Sequence, residues 1–138
     1  MKNKTSHITN FDKKKLKDIL QNTSGRLRVG ADLLEQLENK LDSANIITQK
    51  AAPPYLVTMN CHVGVTDLDE NQDMDFWLVY PEDASSENDK LSVISDIGVA
   101  ILGLKVGDEV EYLDKTQMKH LRIARIYYQP EDNQHYKL

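Results

Sequence analysis

From Val57 to Thr66 the side chains alternate without a break. Val57, Met59, Cys61, Val63 and Val65 fall on one face, and Thr58, Asn60, His62, Gly64 and Thr66 on the other. A period of two over ten residues fits a half-buried β-strand and no helix, because successive side chains of a strand point to opposite faces. A second alternating run, Met74, Phe76, Leu78 and Tyr80, follows the acidic loop Asp67–Asp73 and ends at Pro81. The two runs predict an antiparallel hairpin with Phe76 and Tyr80 inward and Trp77 outward. A polar loop then spans 82–90.

The stretch from Leu91 to Tyr112 changes period three times. Leu91, Val93 and Ile94 form a short apolar run that ends at Ser95-Asp96. A serine hydroxyl can accept from an orphaned backbone N–H, and a carboxylate in the first turn favours the positive end of a helix. The helix is short: Ile97, Ala100, Ile101 and Leu104 share a face, and Gly103 sits where a left-handed C-cap is wanted. Gly107-Asp108 predicts a turn and Val110 and Tyr112 a further strand. Lys115 to Met118 reads as a turn, and 120–129 as a last strand with Leu121 and Ile123 inward.

The N-terminal third is helical. Residues 1–8 read as frayed. Thr9 or Asn10 is suited to cap a helix carrying Phe11, Leu16, Ile19 and Leu20 on one side, with Asp12 in its first turn. A second helix, about Ala31 to Ala44, places Leu34, Leu37, Leu41 and Ala44 on a narrow seam of the kind that pairs helices. The loop 22–30 between them contains Arg26 and Arg28 and no acid. Ala51-Ala-Pro-Pro54 reads as a linker, since consecutive prolines hold the chain extended. The expected architecture is α+β: an antiparallel helical hairpin over 1–52 and an antiparallel sheet domain with one short helix over 53–138. The tail from Pro130 is expected to be loose.

Charge separates the same two halves. Residues 1–50 carry ten Lys/Arg against six Asp/Glu, and residues 51–138 carry seven against sixteen, for a net charge of −5. A basic arm on an acidic body argues against the body gripping nucleic acid through its phosphates, which needs a basic face. The longest uncharged apolar run, 97–104, is far short of the roughly 20 residues of a spanning helix. The polar N-terminus gives no reason to expect a secretory leader. A single cysteine, Cys61, allows no internal disulfide and fits a reducing compartment, so the cytoplasm is the expected location and a monomer the default.

Chemistry-bearing patterns are few. Asp67-x-Asp69-x-Asn71-x-Asp73 has the first ligand positions of a calcium loop, but Gln72 stands where the sharp turn needs glycine and Leu78 where a bidentate glutamate is needed. It reads as a solvated hairpin loop. His7, His62, His120 and His135 are scattered without zinc-ligand spacing. Cys61 reads as a small buried hydrophobe. No nucleophile motif or phosphate loop is present. No cofactor, metal or catalysis is expected.

The central stretch carries a resemblance as well. Ser92-x-x-Ser95-x-Ile97-Gly98-x-Ala100-Ile101-Leu102-Gly103-x-x-x-Gly107-Asp108-x-Val110 resembles the C-terminal domain of Gre-type transcription elongation factors, and more closely the regulator of nucleoside diphosphate kinase family. Val57-Thr-Met-Asn60, Leu78-Val-Tyr-Pro81 and Tyr128-Gln-Pro-Glu131 resemble that family in the same order. The resemblance implies an FKBP-like body under a short coiled-coil hairpin in a bacterial, cytoplasmic protein. It implies binding to RNA polymerase near the secondary channel in competition with Gre-like factors, with only indirect contact to nucleic acid. It also implies an effect on nucleoside diphosphate kinase. The family position for the polymerase contact falls on Ser95, Asp96 and Ile97, with Asp96 where the family usually has proline.

In Gre factors an acidic pair at the tip of a long coiled coil supports transcript cleavage. Here the tip holds Arg26 and Arg28 instead, and about fourteen helical residues reach only roughly 20 Å. No cleavage stimulation is expected. The two arginines are either a solvated loop or a contact to an acidic partner or nucleic acid. An FKBP-like prolyl isomerase or chaperone module, and an adaptor that never meets polymerase, are the alternative functions.

Overall fold

The computed structural model describes residues 6–21 and 31–134. In chain order these form β1 (His7–Thr9), α1 (Asn10–Gln21), α2 (Ala31–Ser43), β2 (Asn45–Ile47), a 3-10 turn (Gln49–Ala51), β3 (Cys61–Asp67), β4 (Gln72–Val79), β5 (Lys90–Ser92), α3 (Asp96–Ile101), β6 (Glu109–Asp114) and β7 (Gln117–Tyr128). The architecture is α+β, with two helices leading into a five-stranded sheet of order β5-β4-β3-β7-β6. Every pairing in that sheet is antiparallel except β4 with β5.

The alternating faces are as the sequence predicts. Val63, Val65, Phe76, Leu78, Tyr80, Leu121 and Ile123 are buried, and β3 pairs with β4 in the register Val63↔Phe76. The strand bounds differ. Val57–Asn60 leaves the ladder although its apolar side chains stay buried, because Asn60 turns into the left-handed region (φ 63°). Asparagine tolerates that conformation better than most residues. The turn before β7 is tighter than expected, with only Lys115 and Thr116 between the paired Asp114 and Gln117.

The first helix starts where its cap predicts, and the apolar seams of both helices are buried. Thr9 Oγ1 accepts from the Asp12 N–H, so Thr9 caps α1. Leu16 and Leu20 of α1 and Leu34, Leu37 and Leu41 of α2 join the same buried cluster as the inner faces of the sheet. Each such leucine contributes about 2 kcal/mol by its removal from water. Arg26 and Arg28 lie outside the described residues.

Two expectations about the ends are corrected. Residues 7–9 are not frayed: they form β1, parallel to β2, with Ile8 buried. The strand entering α1 thus pairs with the strand leaving α2, which brings the base of one helix beside the base of the other. The start of the tail is not loose either. Pro130 and Glu131 are buried, and Gln129 Nε2 donates to the carbonyls of Pro53 and Leu56 at 2.7 and 2.8 Å. Three-residue strands and a single anchoring turn carry no periodicity, so the sequence pattern could not announce them.

Candidate docking helix and the seam behind it

The capping residues of α3 behave as their chemistry dictates. The Gly98 N–H donates to Ser95 Oγ at 3.1 Å, while that hydroxyl donates to the Ser92 carbonyl at 2.7 Å. Gly103 follows the helix with φ +85°. Gly98 is required for a different reason. A Cβ there would come within 2.5 Å of the Ser92 carbonyl oxygen, so the helix lies flush on the backbone of β5. The buried side of α3 is made by Gly98, Val99 and Ile101, while Ile97 and Ala100 are half-buried.

That placement leaves the N-terminal turn available. Asp96 is exposed, and Ser95 and Ile97 are half-buried. Ile97 forms one wall of an open groove of about 590 Å³, together with Met74 and Phe76 of β4, Leu91 of β5 and the segment 84–86. Asp75 and Asp89 also line it. The groove is therefore lined by apolar side chains together with charged groups of both signs, Lys90 among them. Of Ser95, Asp96 and Ile97, it is Ile97 that lines the groove, and the other two precede it in the chain. Phe76 faces inward as expected and also contributes to the groove, a double role that alternation alone does not reveal.

Behind α3 lies a seam between helices and sheet that the sequence reading missed. Asp12, read as a helix-dipole residue, is buried. Its Oδ2 accepts from the Met59 N–H at 3.1 Å and its Oδ1 from the Tyr80 hydroxyl at 3.2 Å. Burial pushes its carboxyl up to about 7, against the opposing pull of the Met59 N–H and with a further push from the Glu131 charge. Glu131 accepts from the Thr58 hydroxyl at 2.8 Å, and burial raises its carboxyl too. Removal from water disfavours the charged form of a carboxylate and outweighs the hydrogen bonds here. The available signal was Asp12 standing four and eight residues before Leu16 and Leu20, an acid at the head of an apolar stripe.

Lys40 was also missed. Its ammonium donates to the carbonyls of Val99, Ala100 and Leu102 at 2.5, 3.0 and 2.9 Å, and burial lowers its pKa to about 8.

The other chemistry-bearing residues are engaged by their neighbours. Asp67 Oδ1 accepts from the N–H groups of Asp69 and Glu70, and Thr66 donates to Asp73 at 2.8 Å. Asp69 accepts from the backbone N–H of His120 and meets its ring at 3.0 Å, which raises the His120 pKa. The loop that resembles a calcium site in sequence thus turns its carboxylates onto protein donors. Among the described residues no group of three or more His, Cys, Asp or Glu is placed to hold a metal ion. Cys61 is buried and its thiol is pushed up to about 12 by burial, so it is protonated at neutral pH. Trp77 stacks on His62 on the outer face of the sheet, ring centroids 4.7 Å apart. No helix among the described residues is long and apolar enough to cross a membrane.

Comparison with known proteins places this geometry. The family described as "Transcription elongation factor, GreA/GreB, C-term" matches residues 52–128, which include the whole sheet, the groove and α3. The chain is 34% identical over 103 residues to the regulator of nucleoside diphosphate kinase of Escherichia coli (strain K12), covering 74% of this chain and 76% of that one. It is 38% identical over 78 residues to transcription elongation factor GreA of Chloroherpeton thalassium, covering 56% of this chain and 49% of that protein. The alignment therefore spans about half the length of that GreA. A solved structure of a prokaryotic transcription elongation factor GreA/GreB from Nitrosomonas europaea superposes with a TM-score of 0.71 at 27% identity, over 91% of this chain and all of that one. The chain belongs to the GreA/GreB C-terminal family and is a relative of both the transcription elongation factors and the regulator of nucleoside diphosphate kinase.

Proposed function

We propose that the chain is a cytoplasmic bacterial transcription regulator that binds RNA polymerase near the secondary channel and competes there with Gre-like factors. In this reading residues 53–138 are the docking domain and residues 1–52 a short hairpin. The observation that carries it is the family match over 52–128 together with an exposed Asp96 that immediately precedes Ile97, a residue lining an apolar groove. Ser95, Asp96 and Ile97 make the contact. A groove lined by Met74, Phe76, Leu91 and Ile97 suits the apolar stripe of a partner helix. The protein acts as a regulator and not as a catalyst, and stimulates no transcript cleavage, because residues 22–30 contain no Asp or Glu. Any influence on nucleoside diphosphate kinase rests on its relative's name alone.

A pull-down of core RNA polymerase with the intact protein, Asp96→Arg and the pair Arg26→Glu/Arg28→Glu tests the reading. Retention of the intact protein and loss with Asp96→Arg supports it. Loss with the arginine pair alone moves the anchor to the hairpin tip. No retention of the intact protein at moderate salt sinks it and favours a polymerase-independent adaptor. The groove beside Phe76 motivates one further reading, a prolyl isomerase or chaperone module, and turnover of a proline-containing peptide would establish that instead.

A further inference from the structure

We infer that Lys40 is a positioning residue through which the N-terminal hairpin sets the docking helix. This rests on the reading of α3 as the polymerase contact. A six-residue helix cannot satisfy its own C-terminal carbonyls, and helices this short are not stable alone. Within α3 and the turn after it, the Gly98 and Ile101 carbonyls accept from the N–H groups of Leu102 and Leu104, and the Leu104 carbonyl accepts from Val57. The remaining carbonyls turn to the hairpin. Val99, Ala100 and Leu102 accept from the Lys40 ammonium, and Gly103 accepts from the His7 N–H at 3.0 Å.

A cation at the C-terminal end of a helix also meets the negative end of its dipole. The N-terminal end is capped locally by Ser95, so one end of α3 is held by its own loop and the other by α2. At Gly98 the helix also lies directly against the backbone of Ser92 and Val93, with no room for a Cβ. A displacement of α2 is therefore passed to the turn that bears Asp96 and Ile97 through the carbonyls Lys40 holds. The hairpin bears on the partner through its base, whatever its tip touches.

The test uses the full chain with Lys40→Met, which keeps the length of the side chain and removes its donors, and Lys40→Arg, which restores donors and charge. Amide hydrogen exchange is measured on the free protein and affinity for core RNA polymerase in parallel. The expected result for Lys40→Met is exchange of the α3 amides roughly ten-fold or more faster with the β3 and β7 amides unchanged. Polymerase affinity falls by about ten-fold, and Lys40→Arg recovers most of both. Unchanged α3 exchange, or equal acceleration across sheet and helix, overturns the inference and leaves Lys40 as a general stabiliser. If Lys40→Met does not fold, Lys40→Gln, which is shorter and keeps an amide donor, is read by the same criteria. Failure of the unmodified protein to bind polymerase strikes the docking reading alone, since exchange in the free protein still decides whether Lys40 holds α3.

Discussion

Buried and exposed carboxylates do opposite things in this protein. On the helix side, Asp12 and Glu131 are buried, and burial raises both above the ordinary carboxylate range. On the open side and the helix surface, Asp69 and Asp42 are exposed. Hydrogen bonds from His120 and Lys17 hold them below that range. The same functional group accepts hydrogen bonds in all four places, so the solvent decides the sign. A raised carboxyl binds more protons in the folded chain than in the unfolded one, and its contribution to stability is lost as pH rises through the folded value. A lowered carboxyl contributes above its unfolded value and loses that contribution as pH falls. The two regions therefore act on the pH profile from opposite ends.

Removing the buried acid is expected to have the largest effect. Asp12→Ala leaves the Met59 N–H and the Tyr80 hydroxyl without their partner and is expected to cost about 3 kcal/mol in urea unfolding. Asp12→Asn sharpens the same contrast. The unmodified protein should lose about 2 kcal/mol between pH 5 and pH 7 as Asp12, with a folded value of about 7 against 3.8, gives up its proton. The asparagine variant should flatten that slope, and a wild-type profile already flat over this window would break the comparison.

Two glycines give the next largest difference. Gly98→Ala drives a methyl group into the backbone of Ser92 and Val93 and should cost about 2 kcal/mol. Gly64→Ala, on the open face, meets only the movable side chains of Arg125 and Tyr127 at 3.2 Å and should cost less than about 0.5 kcal/mol. Smallest of all is Asp69→Asn. It should move the melting midpoint by less than about 2 °C. It should return the titration of His120, followed by NMR, towards the ordinary histidine value. An unchanged His120 titration would mean that Glu111, at 3.1 Å, carries the shift.

The legible parts of the fold are those with a period or a cap. The inward faces of β3, β4 and β7 follow from alternation, and α3 follows from Ser95 and Gly103. The illegible parts are made by single long-range contacts. Met59 N–H to Asp12 spans 47 positions, and Thr58 to Glu131 spans 73. Neither has any local signature. Ser95, Asp96 and Ile97 are singled out by resemblance alone, and the structure adds that Ile97 lines a groove to which the segment 84–86 contributes from outside the periodic elements. Lys40 was hidden because a lysine late in a helix ordinarily reads as a solvated residue favoured by the dipole of its own helix. Here it serves the dipole of another.

The parallel pairing of β1 with β2 carries a consequence for how such a chain can change. It ties the two feet of the hairpin at a fixed separation, so the spacing of α1 and α2 at their bases does not depend on how far they extend. Seven residues added to each helix, two full turns, would lengthen the arm by about 10 Å without altering the ladder that anchors it. Reach is thus adjustable independently of grip.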